Sequence, residues 1–161
     1  GEIHITQAIQ LNELWHSRLP VVVRNNVQRV KHLVCFAAEH DGVFYATAIW
    51  TDPIARLLNG RGWLELRRMA IADDAPKNTA SRMIKIMTLL IRKKFPDITR
   101  LISYQDTDVH KGTIYAAAGW EQESTSKGAD GWQSRNRALN QATGDKIRWG
   151  KTLKVCQQEV V

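Results

Sequence analysis

The chain has 161 residues, 43% hydrophobic and 24% charged, with 23 Lys+Arg against 16 Asp+Glu and a formal net charge of +7. That length suits one domain with a real hydrophobic core. The composition excludes a disordered polyelectrolyte, and no apolar run approaches the roughly 18 residues a membrane helix needs. The basic excess favours anionic partners: nucleic acid, phosphorylated cofactors or an acidic membrane surface.

Residues Ile5–His16 carry apolar side chains at Ile5, Ala8, Ile9, Leu11, Leu14 and Trp15, which predicts a helix ended before Pro20. Val30–His40 and Val43–Trp50 read as two strands joined by the hairpin signal Asp41-Gly42. Pro53–Leu58 is expected as a short helix with Pro in its first turn, closed by Asn59-Gly60. Trp63–Ala72 reads as a third strand and Asp73–Asn78 as a loop. Thr79–Lys94 is the clearest helix: Met83, Ile86, Met87, Leu90 and Ile91 form one apolar face. Asn78 or Thr79 is expected to cap it, and Pro96 stops it. Thr99–Tyr104 is a strand, Thr113–Ala118 a short helix closed by Gly119, and Trp120–Ser124 opens another strand. The order β-β-β-α-β-α-β predicts one mixed sheet with helices on its faces, an α/β (α+β) class.

Beyond Ser124 the chain turns basic. Lys127, Arg135, Arg137, Lys146, Arg148, Lys151 and Lys154 face only Asp130 and Asp145, with Trp132 and Trp149 interleaved. Cations neutralise phosphates and indoles stack on bases, so Arg135, Arg137, Arg148, Lys151, Trp132 and Trp149 are candidate nucleic-acid contacts. A strand with a solvated basic face is the alternative. The whole is expected to form one domain over 1–161 with a basic region at about 125–155.

The two cysteines, Cys35 and Cys156, fit no zinc spacing, and no metal site is expected. Cys35 sits in an apolar run and reads as a buried thiol, which suits a reducing, cytoplasmic setting. No signal-peptide pattern opens the chain, and Gly1 reads as a processed or recombinant start.

Two segments carry a resemblance to the GNAT superfamily of acyl-CoA N-acyltransferases: LELRRMAIADDAPKNTASRMI at Leu64–Ile84 and GTIYAAAGW at Gly112–Trp120. The resemblance implies a splayed mixed sheet. It also implies an acetyl-CoA or other acyl-CoA cofactor, held through its pyrophosphate by the backbone at the start of the long helix. Unpaired N–H groups and the helix dipole attract phosphate there. The family's Arg/Gln and first Gly are replaced by Ala75 and Asn78, with Ala80 at the small-residue position. Lys77 supplies a cation, Asn78 tolerates positive φ, and Thr79, Ala80 and Ser81 complete the phosphate-facing turn. Tyr115 is implied as the proton donor to the departing thiolate.

A narrower resemblance spans Trp15-His16-Ser17, ELRRMAI, PKNTAS, LISYQDT and IYAAAGW, which together look like the phage Mom family. It implies conversion of adenine in phage DNA to an N6-methylcarbamoyl form, shielding the DNA from restriction. DNA, double- or single-stranded, and a small-molecule donor are the implied partners, in the cytoplasm of a bacterial host. In that reading His16 and Ser17 face the base. Asp106 accepts a proton from the exocyclic amine, Tyr104 lines the cleft beside it, and Arg67 or Arg68 holds phosphate or substrate. Adjacent strand residues point to opposite faces, so one arginine is expected in the cleft and the other in solvent or paired with Glu65. Two alternatives remain: an ordinary acetyl-CoA-dependent N-acetyltransferase acting on a small amine or protein, and a non-catalytic nucleic-acid-binding protein of this fold.

Overall fold

The computed structural model describes residues 1–15, 30–107, 111–126 and 145–153. The elements are β1 (Glu2–Ile3), α1 (Ile5–Trp15), β2 (Leu33–His40), β3 (Val43–Thr51), β4 (Trp63–Ile71), α2 (Thr79–Lys94), β5 (Arg100–Asp106), α3 (Thr113–Ala117), β6 (Glu121–Ser126) and β7 (Lys146–Thr152). Among the described residues they form one sheet in the order β1-β2-β3-β4-β5-β7-β6. Only the β4–β5 pair is parallel, as the α2 crossover between them requires.

The expected elements stand, with three corrections. Residues 53–62 make bends and turns, not a helix. Four of those ten positions are Pro, Gly or Asn, which favour turns over a helix of six residues. The sheet also gains β1, two residues long and too short for a period-2 signal, and β7, which lies between β5 and β6. The hairpin behaves as expected, with Asp41 at φ 50° and Gly42 at φ 78°, both left-handed as a tight primed turn demands.

The two sheet faces have separate cores. Val34, Phe36, Ala48, Trp50, Leu64, Leu66 and Leu101 pack against Met83, Ile84, Met87 and Ile91 of α2. Cys35 and Ile49, on the opposite parity, pack against Ile5 and Ala8 of α1. Helices thus cover both faces of a mixed sheet. None of the described helices is long and apolar enough to cross a membrane.

Burial, and secondarily the charge of Glu2, pushes the Cys35 thiol up to about 12. A thiol so placed is protonated at pH 8 and nearly unreactive. Iodoacetamide at pH 8 is therefore expected to leave Cys35 unmodified in the native protein, read by peptide mass mapping; alkylation at the rate of a free thiol would show that the β1–β2 edge opens.

Candidate active site at the splay of the sheet

Strands β4 and β5 pair from Trp63↔Arg100 to Leu66↔Ser103, and no further. Beyond that point β4 runs on to Ile71 and β5 to Asp106. Their unpaired edges leave a gap at the carboxyl ends of two parallel strands, a position where ligands bind in α/β sheets, and this gap is the candidate cleft.

On the α2 face the cleft meets the start of that helix. Asn78 is its N-cap with φ 67°, and its side chain makes no capping bond. The expected side-chain cap is therefore absent: a left-handed residue turns its side chain away from the first-turn amides, and the tolerance of Asn for positive φ is what is used. The Thr79 hydroxyl donates to the Pro76 carbonyl at 2.6 Å and the Ser81 hydroxyl to the Asn78 carbonyl at 3.2 Å. The Pro76 and Asn78 carbonyls also accept the amides of Thr79 and Arg82. The amides of Ala80 and Ser81 are the first-turn donors left to face a ligand. With exposed Lys77 beside them, these small residues fit the phosphates of an acyl-CoA.

Tyr115 reaches the vertex of the splay from α3. Its hydroxyl is 2.8 Å from the Ser103 hydroxyl, and Ser103 is the last β5 residue paired to β4. The ring stacks on Trp149 (centroids 5.6 Å, 18°) and contacts Trp120 at 5.7 Å, leaving the residue 7% exposed. Burial raises the phenol pKa, partly offset by the Ser103 bond. The Trp149 indole donates to Gln105 Oε1 at 2.7 Å. Gly112, at φ 71°, seals this group: a Cβ there would run into the Gln105 side-chain amide and the Trp149 ring. Gly112→Ala is expected to cost about 2 kcal/mol from the left-handed backbone and the collision together, read as a lowered denaturation midpoint.

The opposite face is charged. Strand β4 pairs Ile49 with Arg68 and Trp50 with Leu66, so Arg67 is the extra residue of a β-bulge. Leu66 and Met69 both belong to the α2-side core, which leaves Arg67 and Arg68 together on the other face. The expectation that they diverge is corrected: strict alternation fails where a residue is inserted. Glu65, paired to Thr51, shares that face and accepts the Ile54 amide at 3.1 Å. Burial raises the Glu65 carboxyl pKa against the attraction of both arginines, and burial lowers both guanidinium pKa values. The β4–β5 register adds Tyr104 and Asp106 to the same face, and Tyr104 is 37% exposed. Asn12 of α1, 2% exposed with an unbonded side-chain carbonyl, is a further buried polar group that sequence reasoning missed. Its signal was a polar residue on a face otherwise set by Ile5 and Ala8.

The remaining candidates divide. His16, Ser17, Trp132, Arg135 and Arg137 lie outside the described residues. Lys151 donates to the Gly119 carbonyl at 2.7 Å, and Arg148 donates to Glu123 at 2.8 Å. Trp149 is 9% exposed and packed in the core, so it is not placed to stack on a base. Inward parity on β7 decided this, and the basic stretch beyond Ser124 carries no local signal for that strand. Ser103 and Gln105 were also missed as partners; their signal was polar residues on the inward parity of LISYQD.

Solved structures with the same architecture include the ribosomal-protein-S18-alanine N-acetyltransferase of Escherichia coli. It matches at TM-score 0.69 and 10% identity, over 100% of this chain and 97% of that one. A Bacillus subtilis acetyltransferase in complex with CoA matches at TM-score 0.64 and 11% identity, over 95% of each chain. At such identities the likeness shows the fold, which is that of the GNAT acetyltransferases. In sequence, the methylcarbamoylase Mom of Escherichia phage Mu is 33% identical over 78 residues, covering 45% of this chain and 32% of that protein. The match thus spans about a third of the length of this relative. The Mom protein family matches residues 51–158, which contain β4, α2, β5 and α3. The chain belongs to the Mom protein family and carries it on a GNAT fold.

Proposed function

We propose that this protein is a GNAT-type transferase that modifies adenine N6 in DNA, adding a methylcarbamoyl-type group that protects phage DNA from restriction. The single observation that supports it most is the family match across the cleft-forming elements. The two faces of the cleft agree with it in chemistry. One offers a phosphate-binding helix start and a phenol at the vertex. The other offers arginines, an exposed tyrosine and a carboxylate.

Adenine N6 is a weak nucleophile because its lone pair is delocalised into the ring. The protein must therefore position it and remove a proton as the new bond forms. Asp106, at the open end of β5, is the proposed acceptor of that proton, with His16 orienting the base and Tyr104 beside it. An acyl-CoA would supply a two-carbon acyl group; its phosphates would be held by the Ala80 and Ser81 amides with Lys77, Asn78 and Thr79, and Tyr115 would give its proton to the CoA sulfur as it leaves. Acyl transfer alone puts a carbonyl on N6, so the methylcarbamoyl group also requires an amine-class nitrogen donor and a further step that attaches its CH2 to N6.

Mass spectrometry of nucleosides from DNA of cells expressing the protein tests the reading. A methylcarbamoyl product carries one nitrogen and one hydrogen more than an acetyl product, so the mass separates the two. A modified deoxyadenosine with the extra nitrogen is expected. An unchanged profile with tight CoA binding would turn the reading to an ordinary N-acetyltransferase; salt-sensitive DNA binding alone would turn it to a non-catalytic binder.

A further inference from the structure

The bulge in β4 puts two half-buried guanidiniums on one face, beside the buried carboxylate of Glu65 and with Asp106 of β5 on the same face. Among the described residues neither Arg67 Nε nor Arg68 Nε has a hydrogen-bond partner, although both atoms are buried. Arg68 spends one terminal nitrogen on the Arg67 carbonyl at 2.7 Å. Buried charged donors left unbonded are costly, and a bulge retained to create them reads as a site awaiting an anion.

The surroundings extend the same pattern. On β7, Lys146 stands opposite Asp106 and Arg148 opposite Tyr104. Arg148 and Arg100 share the one carboxylate of Glu123. The face is thus a strip of cations, Arg67, Arg68, Arg100, Arg148 and Lys146, set against the acids Glu65, Asp106 and Glu123, with an exposed phenol ring among them. The helix start that fits cofactor phosphates lies with α2 on the other face of the sheet. An anion held by Arg67 and Arg68 therefore belongs to the second reactant.

We infer that Arg67 and Arg68, brought to one face by the bulge, clasp a phosphodiester of the strand that carries the target adenine, with Tyr104 as the ring against which a neighbouring base rests; this rests on the DNA reading above. Paired guanidiniums suit the oxygens of a phosphodiester, and stacking on one exposed ring is tolerant of sequence.

The experiment is anisotropy titration of the full chain with a labelled adenine-containing single-stranded oligonucleotide across a salt series, with CoA titrated separately by calorimetry. The Arg67→Met/Arg68→Met double variant is expected to bind the oligonucleotide at least about tenfold more weakly, with a salt slope reduced by about 0.7 for a lost phosphate contact. Its CoA affinity is expected to be unchanged. A neutral methylphosphonate at one linkage flanking the adenine should reproduce the loss in the native protein and cost the double variant nothing further. That arm needs no substitution, so misfolding of a variant cannot imitate it. The single variant Arg67→Met should hold or raise the melting temperature, because it removes one of two like charges set side by side; a merely structural arginine would lower it.

Equal oligonucleotide binding by native and double-variant protein, together with indifference to the neutral linkage, would overturn this inference and leave the DNA reading standing. Loss of CoA affinity in the double variant would assign the pair to cofactor phosphates and overturn it too. Failure of the native protein to bind any oligonucleotide would remove both.

Discussion

Tyr115→Phe is expected to reduce the modified nucleoside at least about 100-fold while leaving the protein folded, because a general acid contributes roughly that much or more to a transfer step. Phe keeps the ring that stacks between Trp149 and Trp120 and loses only the oxygen bonded to Ser103. Losing that bond and leaving the Ser103 hydroxyl unpaired costs about 1–3 kcal/mol, a fraction of the roughly 5–15 kcal/mol that holds a domain together. Ser103→Ala breaks the same bond and keeps the phenol, so it separates chemistry from packing: it is expected to retain most of the activity. Equal losses in the two variants would reduce Tyr115 to a structural role. The pH profile gives a second check. Burial raises the phenol pKa, so the acid form persists through neutral pH. Its contribution should be flat there and decline only above the ordinary phenol value near 10.

Asp52→Ala is expected to destabilise the protein by about 3–5 kcal/mol, because it takes from the buried His32 the partner of both its amide and its Nδ1, at roughly 1–3 kcal/mol for each buried polar group left unsatisfied. His32 Nδ1 lies 2.7 Å from Asp52 Oδ1, the His32 amide donates to Asp52 Oδ2 at 2.9 Å, and Nε2 lies 2.9 Å from Asp97 Oδ2. Both ring nitrogens face carboxylates, so the ring is held at both ends. The clamp ties the start of β2 and the end of β3 to the turn between α2 and β5, with the Phe95 ring edge-on at 5.1 Å. It stands at the end of the sheet away from the splay. Thermal melts should therefore fall by about 10 °C for a domain of this size, while activity per folded molecule at low temperature holds. A comparable loss of activity would tie the clamp to the site. Acid should weaken the clamp. Lys31 first, and then His32, hold the Asp97 carboxyl below its usual range. Its stabilisation is present above the ordinary carboxylate pKa and is lost as pH falls through the lowered value. Asp97→Asn should flatten that acid limb of the melting curve.

Much of the site was legible because its signals are local. The helix of α2 follows from one apolar stripe, and the hairpin from Asp41-Gly42. The Tyr115 segment was found from GTIYAAAGW, and the fold places its hydroxyl beside Ser103 at the vertex of the splay. The illegible part is non-local. Nothing in ELRRMAI says that Arg67 is an inserted residue, because the bulge is defined by the register of β3 against β4. Nothing near Trp149 says that it is a core residue, because the strand that buries it enters between β5 and β6. The clamp joins positions separated by 20 and 65 residues, and each of its members reads alone as a surface polar side chain.

By itself the sequence determined the long helix, four of the strands near their observed bounds, the class of the fold and the family to which the chain belongs. Helical and strand periodicity and turn residues act over a few positions, where the chain's own chemistry decides. Only the tertiary structure decided which side chains face one another: the two arginines on one face, Ser103 beneath Tyr115, and Trp149 in the core instead of on a nucleic-acid surface. Those outcomes depend on strand register and strand order. They are set by the burial of both sheet faces at once, and no short stretch of sequence carries that information.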